Sequence, residues 1–189
     1  MSFFQNGEVL IVVGPRGELP GRCEEWNEVC YGKLRKLLIT HGRAINSIQM
    51  GYERQNSIVY SHRRGGDGDK FDSISLEPWE AFTVISGHYG AVDDSGKTMV
   101  RSLIFVSNRR TYGPFGQEEG TPFSFSFQPG LTFWGFHGRS CDDYLRAIGV
   151  YVATNAKQHF EPEPLRVNTS TSLYSASRGT EYRHARLYV

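Results

Sequence analysis

A chain of 189 residues has room for one well-packed domain, and a second would be cramped. Its formal net charge of +1, with 21 basic and 20 acidic residues interspersed, makes no field that would draw nucleic acid or an anionic membrane. With 21 glycines, 10 tyrosines, 12 phenylalanines and no long apolar helical stretch, the composition suits many short strands joined by tight turns.

In chain order, the first apolar run is Glu8 to Val13. It lacks a basic leader and falls short of the roughly 20 apolar residues that span a bilayer, so neither a secretory signal nor a membrane helix is expected. Cys23 and Cys30 follow, and Cys141 makes three. An odd number without a CxxC spacing predicts structural or free thiols and a reducing compartment. Next comes repetition. Residues 58–64 (IVYSHRR) lie over 104–110 (IFVSNRR) at an offset of 46, and 73–78 (SISLEP) over 124–129 (SFSFQP) at an offset of 51. His41-Gly42-Arg43, His88-Tyr89-Gly90 and His137-Gly138-Arg139 read as a turn met once per unit. After each turn a small residue precedes Ile or Leu, in Ser47-Ile48, Ser102-Leu103 and Ala147-Ile148. Gly65-Gly66-Asp67-Gly68-Asp69 and Tyr112-Gly113-Pro114-Phe115-Gly116 read as turn-rich loops at equivalent places.

Phe123, Phe125 and Phe127 alternate with Ser124 and Ser126, and Phe82 and Val84 flank Thr83, the period of strands with one buried face. One such unit cannot bury its apolar face alone, so three of them closing around a shared core predict an all-β prism or barrel. From Ala153 the pattern fades into Glu161-Pro162-Glu163-Pro164 and a Ser/Thr-rich stretch. The expected division is a domain over 1–152 and a tail or linker over 153–189.

Thr111-Tyr112-Gly113-Pro114-Phe115-Gly116, Gly120-Thr121-Pro122-Phe123, Phe136-His137-Gly138-Arg139-Ser140 and Ala147-Ile148-Gly149-Val150-Tyr151, with weaker matches at Gly14-Pro15-Arg16-Gly17, Trp26-Asn27 and Gly65-Gly66-Asp67-Gly68, resemble the jacalin-related lectins of plants. The resemblance implies a β-prism I fold, three four-stranded antiparallel sheets with pseudo-threefold symmetry. It implies binding of mannose/glucose-type or galactose-type sugars in loops at one end, without metal or cofactor. It places a first sugar site at Gly17 with Asp142, Asp143, Tyr144, Leu145 and Arg146, and a second at Gly65 and Gly66 with Asn46. Tyr89, beside a turn glycine, is a candidate to stack on a sugar face or to pack in the core.

The chain departs from that family in the first site. The stretch Gly138-Arg139-Ser140-Cys141-Asp142-Asp143-Tyr144-Leu145-Arg146-Ala147 is one residue longer, has the usual inner glycine either replaced by Cys141 or lost, and has Arg146 where an aspartate is usual. Arginine carries donors only, so it cannot accept from sugar hydroxyls as that carboxylate would. Arg146 either pairs with Asp142 or Asp143, or recognises an acidic sugar or a phosphate. Asp142 and Asp143 are either solvated turn residues or substitutes for the displaced carboxylate. Pro20 removes a backbone donor from the partner loop. His41, His88 and His137 recur because the unit recurs and are not expected to bind metal; Trp26, Trp79 and Trp134 are expected in the core.

No nucleophile elbow, phosphate-cradling loop or zinc motif is present, so no enzyme is expected. Two functions remain. One is a lectin of the mannose/glucose class whose partners are oligosaccharides or glycoproteins; the other is a lectin-derived protein-interaction module, in plant defence, with weakened sugar affinity. A homodimer and a cytoplasmic location, extending to the nucleus, complete the expectation.

Overall fold

The computed structural model describes residues 2–5, 8–18, 23–29, 32–141 and 143–154, which form strands and connecting turns. The strands are β1 (Ser2–Gln5), β2 (Glu8–Gly17), β3 (Glu24–Val29), β4 (Lys33–His41), β5 (Ile45–Arg54), β6 (Ser57–Tyr60), β7 (Arg64–Gly65), β8 (Lys70–Ser75), β9 (Phe82–Ala91), β10 (Thr98–Ser107), β11 (Thr111–Gly116), β12 (Thr121–Ser126), β13 (Leu131–Cys141) and β14 (Tyr144–Thr154). They build three antiparallel sheets on one plan. An inner hairpin, β4–β5, β9–β10 or β13–β14, is flanked by one outer strand on each side: β8 and β6, β12 and β11, β3 and β2. β1 extends the last sheet, and β7 continues the line of β6 along β5. The prism of three four-stranded sheets is therefore observed, with the last sheet closed by strands from both ends of the chain. β14 runs to Thr154, two residues past the expected boundary, and the tail from 155 lies outside the described residues.

The inner hairpins begin at Lys33, Phe82 and Leu131, a constant step of 49 residues. The offset of 51 holds, because 73–75 end β8 and 124–126 end β12. The offset of 46 does not. Residues 58–60 lie on outer strand β6 and 104–107 on inner strand β10. Their likeness is the alternation that any half-buried strand shows, which carries no information on which strand it is. The His-Gly turns are corrected too. His88 and His137 sit inside β9 and β13, and only His41 ends its strand; 112–116 belong to strand β11 rather than to a loop.

Where the chain alternates, burial follows: Phe123 and Phe125 are buried on β12 while Ser124 and Ser126 are exposed. On β9 the buried set is Phe82 and Ile85, with Val84 half-buried, because a register shift opposite Val106 and Ser107 resets the alternation. The inner strands supply Ile48, Leu103, Phe105, Phe136 and Ile148, all fully buried, and Phe105 meets Phe136 edge-on with centroids 6.4 Å apart. Each such side chain contributes about 1.5–3 kcal/mol by leaving water. Of the three tryptophans only Trp26 is buried; Trp79 and Trp134 are half-buried.

The histidines are engaged separately. His41 Nε2 lies 2.8 Å from Asp72 and its Nδ1 accepts from the Gly116 N–H at 3.1 Å; His88 Nδ1 is 3.0 Å from the Ser102 hydroxyl. His137 donates from Nε2 to the Val13 carbonyl at 3.0 Å, tying β13 to β2 across Gly149 of β14. A Cβ on Gly149 would fall inside the imidazole, which is why glycine ends the Ala147-Ile148-Gly149 run. Burial lowers the His137 pKa; the Val13 hydrogen bond opposes that shift and the Arg139 charge adds to it.

Gly149→Ala is expected to cost roughly 1–3 kcal/mol by overpacking, read as a lower urea midpoint. Since the unfolded chain binds the His137 proton more tightly than the fold does, stability is complete above the ordinary imidazole pKa and declines as pH falls through it. A wild-type midpoint that stays flat from pH 8 to pH 5 would contradict the second expectation.

Candidate functional site

Each inner hairpin carries one extra residue near its turn, on the second strand. The register skips Asn46 between Thr40↔Ser47 and His41↔Ile45, Arg101 between Val100↔Tyr89 and Ser102↔His88, and Arg146 between Arg139↔Ala147 and Ser140↔Leu145. A β-bulge of this kind re-aims the side chain of its extra residue. The neighbouring outer strand then passes a glycine over each bulge. Gly65 pairs with Ser47, Gly116 with Ser102 and Gly17 with Ala147, at φ of 109°, 79° and 125°. A Cβ on any of the three would strike the carbonyl oxygen of Asn46, Arg101 or Arg146, so both the left-handed backbone and the close approach require glycine. The N–H of the next residue seals the contact: Gly66 donates to Asn46 at 3.1 Å, Gln117 to Arg101 at 2.9 Å and Glu18 to Arg146 at 3.0 Å.

The three bulge side chains link the hairpins in a ring, which sets them at one end of the molecule. Asn46 Nδ2 donates to the Asp143 carbonyl on the β13–β14 turn at 3.0 Å. Arg101 Nε donates to the Arg43 carbonyl on the β4–β5 turn at 3.1 Å. Arg146 Nη1 points to the Thr98 carbonyl at the start of β10, 3.4 Å away.

The expected site residues divide accordingly. Gly17 and Arg146 meet, as do Gly65, Gly66 and Asn46, and the Asn46 to Asp143 bond joins the two expected sites into one rim. The amide nitrogen of Asn46 is thereby engaged by the fold. Asp143 is exposed, Tyr144 half-buried and Leu145 fully buried within the core cluster; Asp142 lies outside the described residues. The nearest described carboxylate to Arg146 is that of Glu18, 4.0 Å from Nε, rather than that of Asp143. Half-buried Tyr89 packs against Phe123 with ring centroids 6.3 Å apart, on the margin of the core. Arg101 went unread in the sequence, although it stands directly before Ser102-Leu103 as Arg146 stands before Ala147-Ile148.

A disulfide also escaped the sequence reading. Cys23 and Cys141 are bonded, with Cα atoms 5.0 Å apart. The β3–β13 register explains it: Glu24 pairs with Ser140, so the next step of the ladder sets Cys23 opposite Cys141. The expectation of free thiols is thus corrected for these two, and a cytoplasmic location loses the support it drew from them. Arg139 strengthens the same corner, donating to the Glu18 carbonyl and to Glu25, each at 2.8 Å. Between the disulfide and the Arg63–Gly65 stretch lies a polar recess of about 370 Å³, which Glu24 and Ser140 also line.

A three-sheet prism with its three inner-hairpin turns gathered at one rim defines a lectin-like scaffold. Residues 13–151 match the jacalin-like lectin domain, and the chain belongs to that family. It is 37% identical over 172 residues to jacalin-related lectin 3 of Arabidopsis thaliana, an alignment that covers 90% of this chain and 28% of that protein. It is 36% identical over 153 residues to jacalin-related lectin 19 of the same plant, covering 79% of this chain and 85% of the relative. Among solved structures, a mannose-binding jacalin-related lectin from Ananas comosus superposes with a TM-score of 0.67 at 34% identity, covering 77% of this chain and 98% of that one.

Thiol titration of the denatured, unreduced chain is expected to find at most one free thiol. Cys141→Ser removes a link across 118 residues and is expected to lower stability by roughly 2–5 kcal/mol in urea, whereas three reactive thiols would refute the bond.

Proposed function

We propose that this chain is a carbohydrate-binding lectin of the mannose/glucose class, acting on oligosaccharides or glycoproteins without metal and without catalysis. The observation that carries the reading is the rim: three glycine-sealed bulges at one end, two of them at the positions where the family resemblance puts sugar sites. Likeness to a mannose-binding jacalin-related lectin supports the sugar class. The polar recess between the disulfide and Gly65 offers room for more than one sugar unit. A protein-interaction module in plant defence is the second reading, favoured by Arg146 in place of an acceptor side chain.

Two measurements decide. Calorimetry with methyl mannoside and mannose-type oligosaccharides, together with a glycan array, is expected to give sugar-dependent binding, and a folded chain silent to all sugars would leave only the second reading. A homodimer is part of the proposal, because outer strand β6 leaves Ile58, Val59 and Tyr60 exposed by 36%, 49% and 45%. Sedimentation is expected to give twice the chain mass, and Val59→Lys to shift it towards one; a monomer at high concentration removes this part.

A further inference from the structure

We infer that the rim position at Arg146 takes a carboxylate, so that the sugar it holds is an acidic one, a pyranose of the uronic acid class. The inference rests on the lectin reading above and names the ligand of that same site.

The molecule contains its own comparison. Arg101 and Arg146 occupy equivalent bulges, and both side chains are buried, with 5% and 9% exposure. At Arg101 every guanidinium nitrogen is engaged: Nε by the Arg43 carbonyl at 3.1 Å, Nη1 by the Ala91 carbonyl, and Nη2 by Gln117 Oε1 at 3.0 Å and Glu119 Oε2 at 2.6 Å. At Arg146 the acceptors among the described residues are the Thr98 carbonyl at 3.4 Å from Nη1 and Glu18 Oε2 at 4.0 Å from Nε, and the buried Nε makes no hydrogen bond among them. Both distances exceed the 2.7–3.2 Å of a good N–H···O bond. A buried cation with idle donors calls for an explanation, and an acceptor brought by a ligand supplies one.

The difference comes from the loop that follows each glycine. One and three residues after Gly116 stand Gln117 and Glu119, both bonded to Arg101. One and three residues after Gly17 stand Glu18 and Pro20, and a proline side chain offers no acceptor. Two described acids of this corner are engaged elsewhere: Glu25 by Arg139 at 2.8 Å, Glu24 facing Arg64 at 3.6 Å. Among the described residues, Glu18 is the acid that faces Arg146. A sugar hydroxyl would give the guanidinium an acceptor without a charge; a planar carboxylate gives both and matches two of its N–H groups at once. It would fill at Arg146 the place that Glu119 fills at Arg101.

The test is calorimetry on the intact chain with the methyl glycosides of glucuronic and mannuronic acid, of glucose and of mannose, and with inorganic sulfate. The uronates are expected to bind at least about tenfold more tightly than the neutral sugars, with high salt narrowing the gap. Arg146→Gln, its fold verified by circular dichroism, is expected to erase that preference. Should that variant fail to fold, Glu18→Gln removes the competing acid and is expected to tighten uronate binding. Neutral sugars binding as well as uronates, or a Gln variant that keeps the preference, overturns the inference and leaves the lectin reading standing. Sulfate displacing uronate equally well marks an anion site without sugar recognition and also overturns it. A folded chain that binds neither sugar type removes both readings.

Discussion

Three carbonyl groups set the working end of this molecule. Each belongs to a bulge residue, each is overrun by a glycine in the left-handed region, and each accepts the N–H that follows that glycine. These contacts are made by backbone alone. The side chains of Asn46, Arg101 and Arg146 are therefore free to differ while their positions stay fixed. A fold that locates a residue without using its side chain can change its chemistry there at little cost to stability.

What the three side chains do differs accordingly. Arg101 is a structural cation, satisfied by two side chains of the loop after β11 and by the carbonyls of Arg43 in the β4–β5 turn and Ala91 at the end of β9. Its guanidinium is buried while the residues that accept from it are exposed, so these contacts serve to satisfy the cation. Asn46 holds the turn of the third hairpin. Arg146 has the burial of the first and the satisfaction of neither. The rim is thus threefold in backbone and asymmetric in chemistry.

Much of the architecture was legible because strands write themselves as alternation. Phe123-Ser124-Phe125-Ser126 is alternately buried and exposed as read, and the offset of 51 matched true equivalents. The offset of 46 failed because alternation tells that a strand exists and not where it lies in the sheet. The bulges were invisible for a related reason: they are defined by which partner residue is skipped, and a single strand does not carry its partner's register. Arg146 was noticed through the family resemblance, Arg101 was not, and only pairing showed the two to be equivalent. The disulfide needed the β3–β13 register as well, since 118 residues separate its ends.

The same register bears on the extra residue in the β13–β14 turn. An insertion beside a binding position normally costs affinity, because more chain must be ordered when a ligand arrives. Here the segment from Cys141 to Arg146 is tied at both ends, by the bond to Cys23 and by the Glu18 N–H on the Arg146 carbonyl, and between them Asn46 grips the Asp143 carbonyl. Leu145 is buried in the core cluster. The described residues on either side of position 142 are thus held by four contacts. Cys141 gives this turn a tether through its bond to Cys23. In the proposal above, the Arg146 guanidinium sits between these tied points, where each hydrogen bond to an incoming acceptor would count more fully towards affinity.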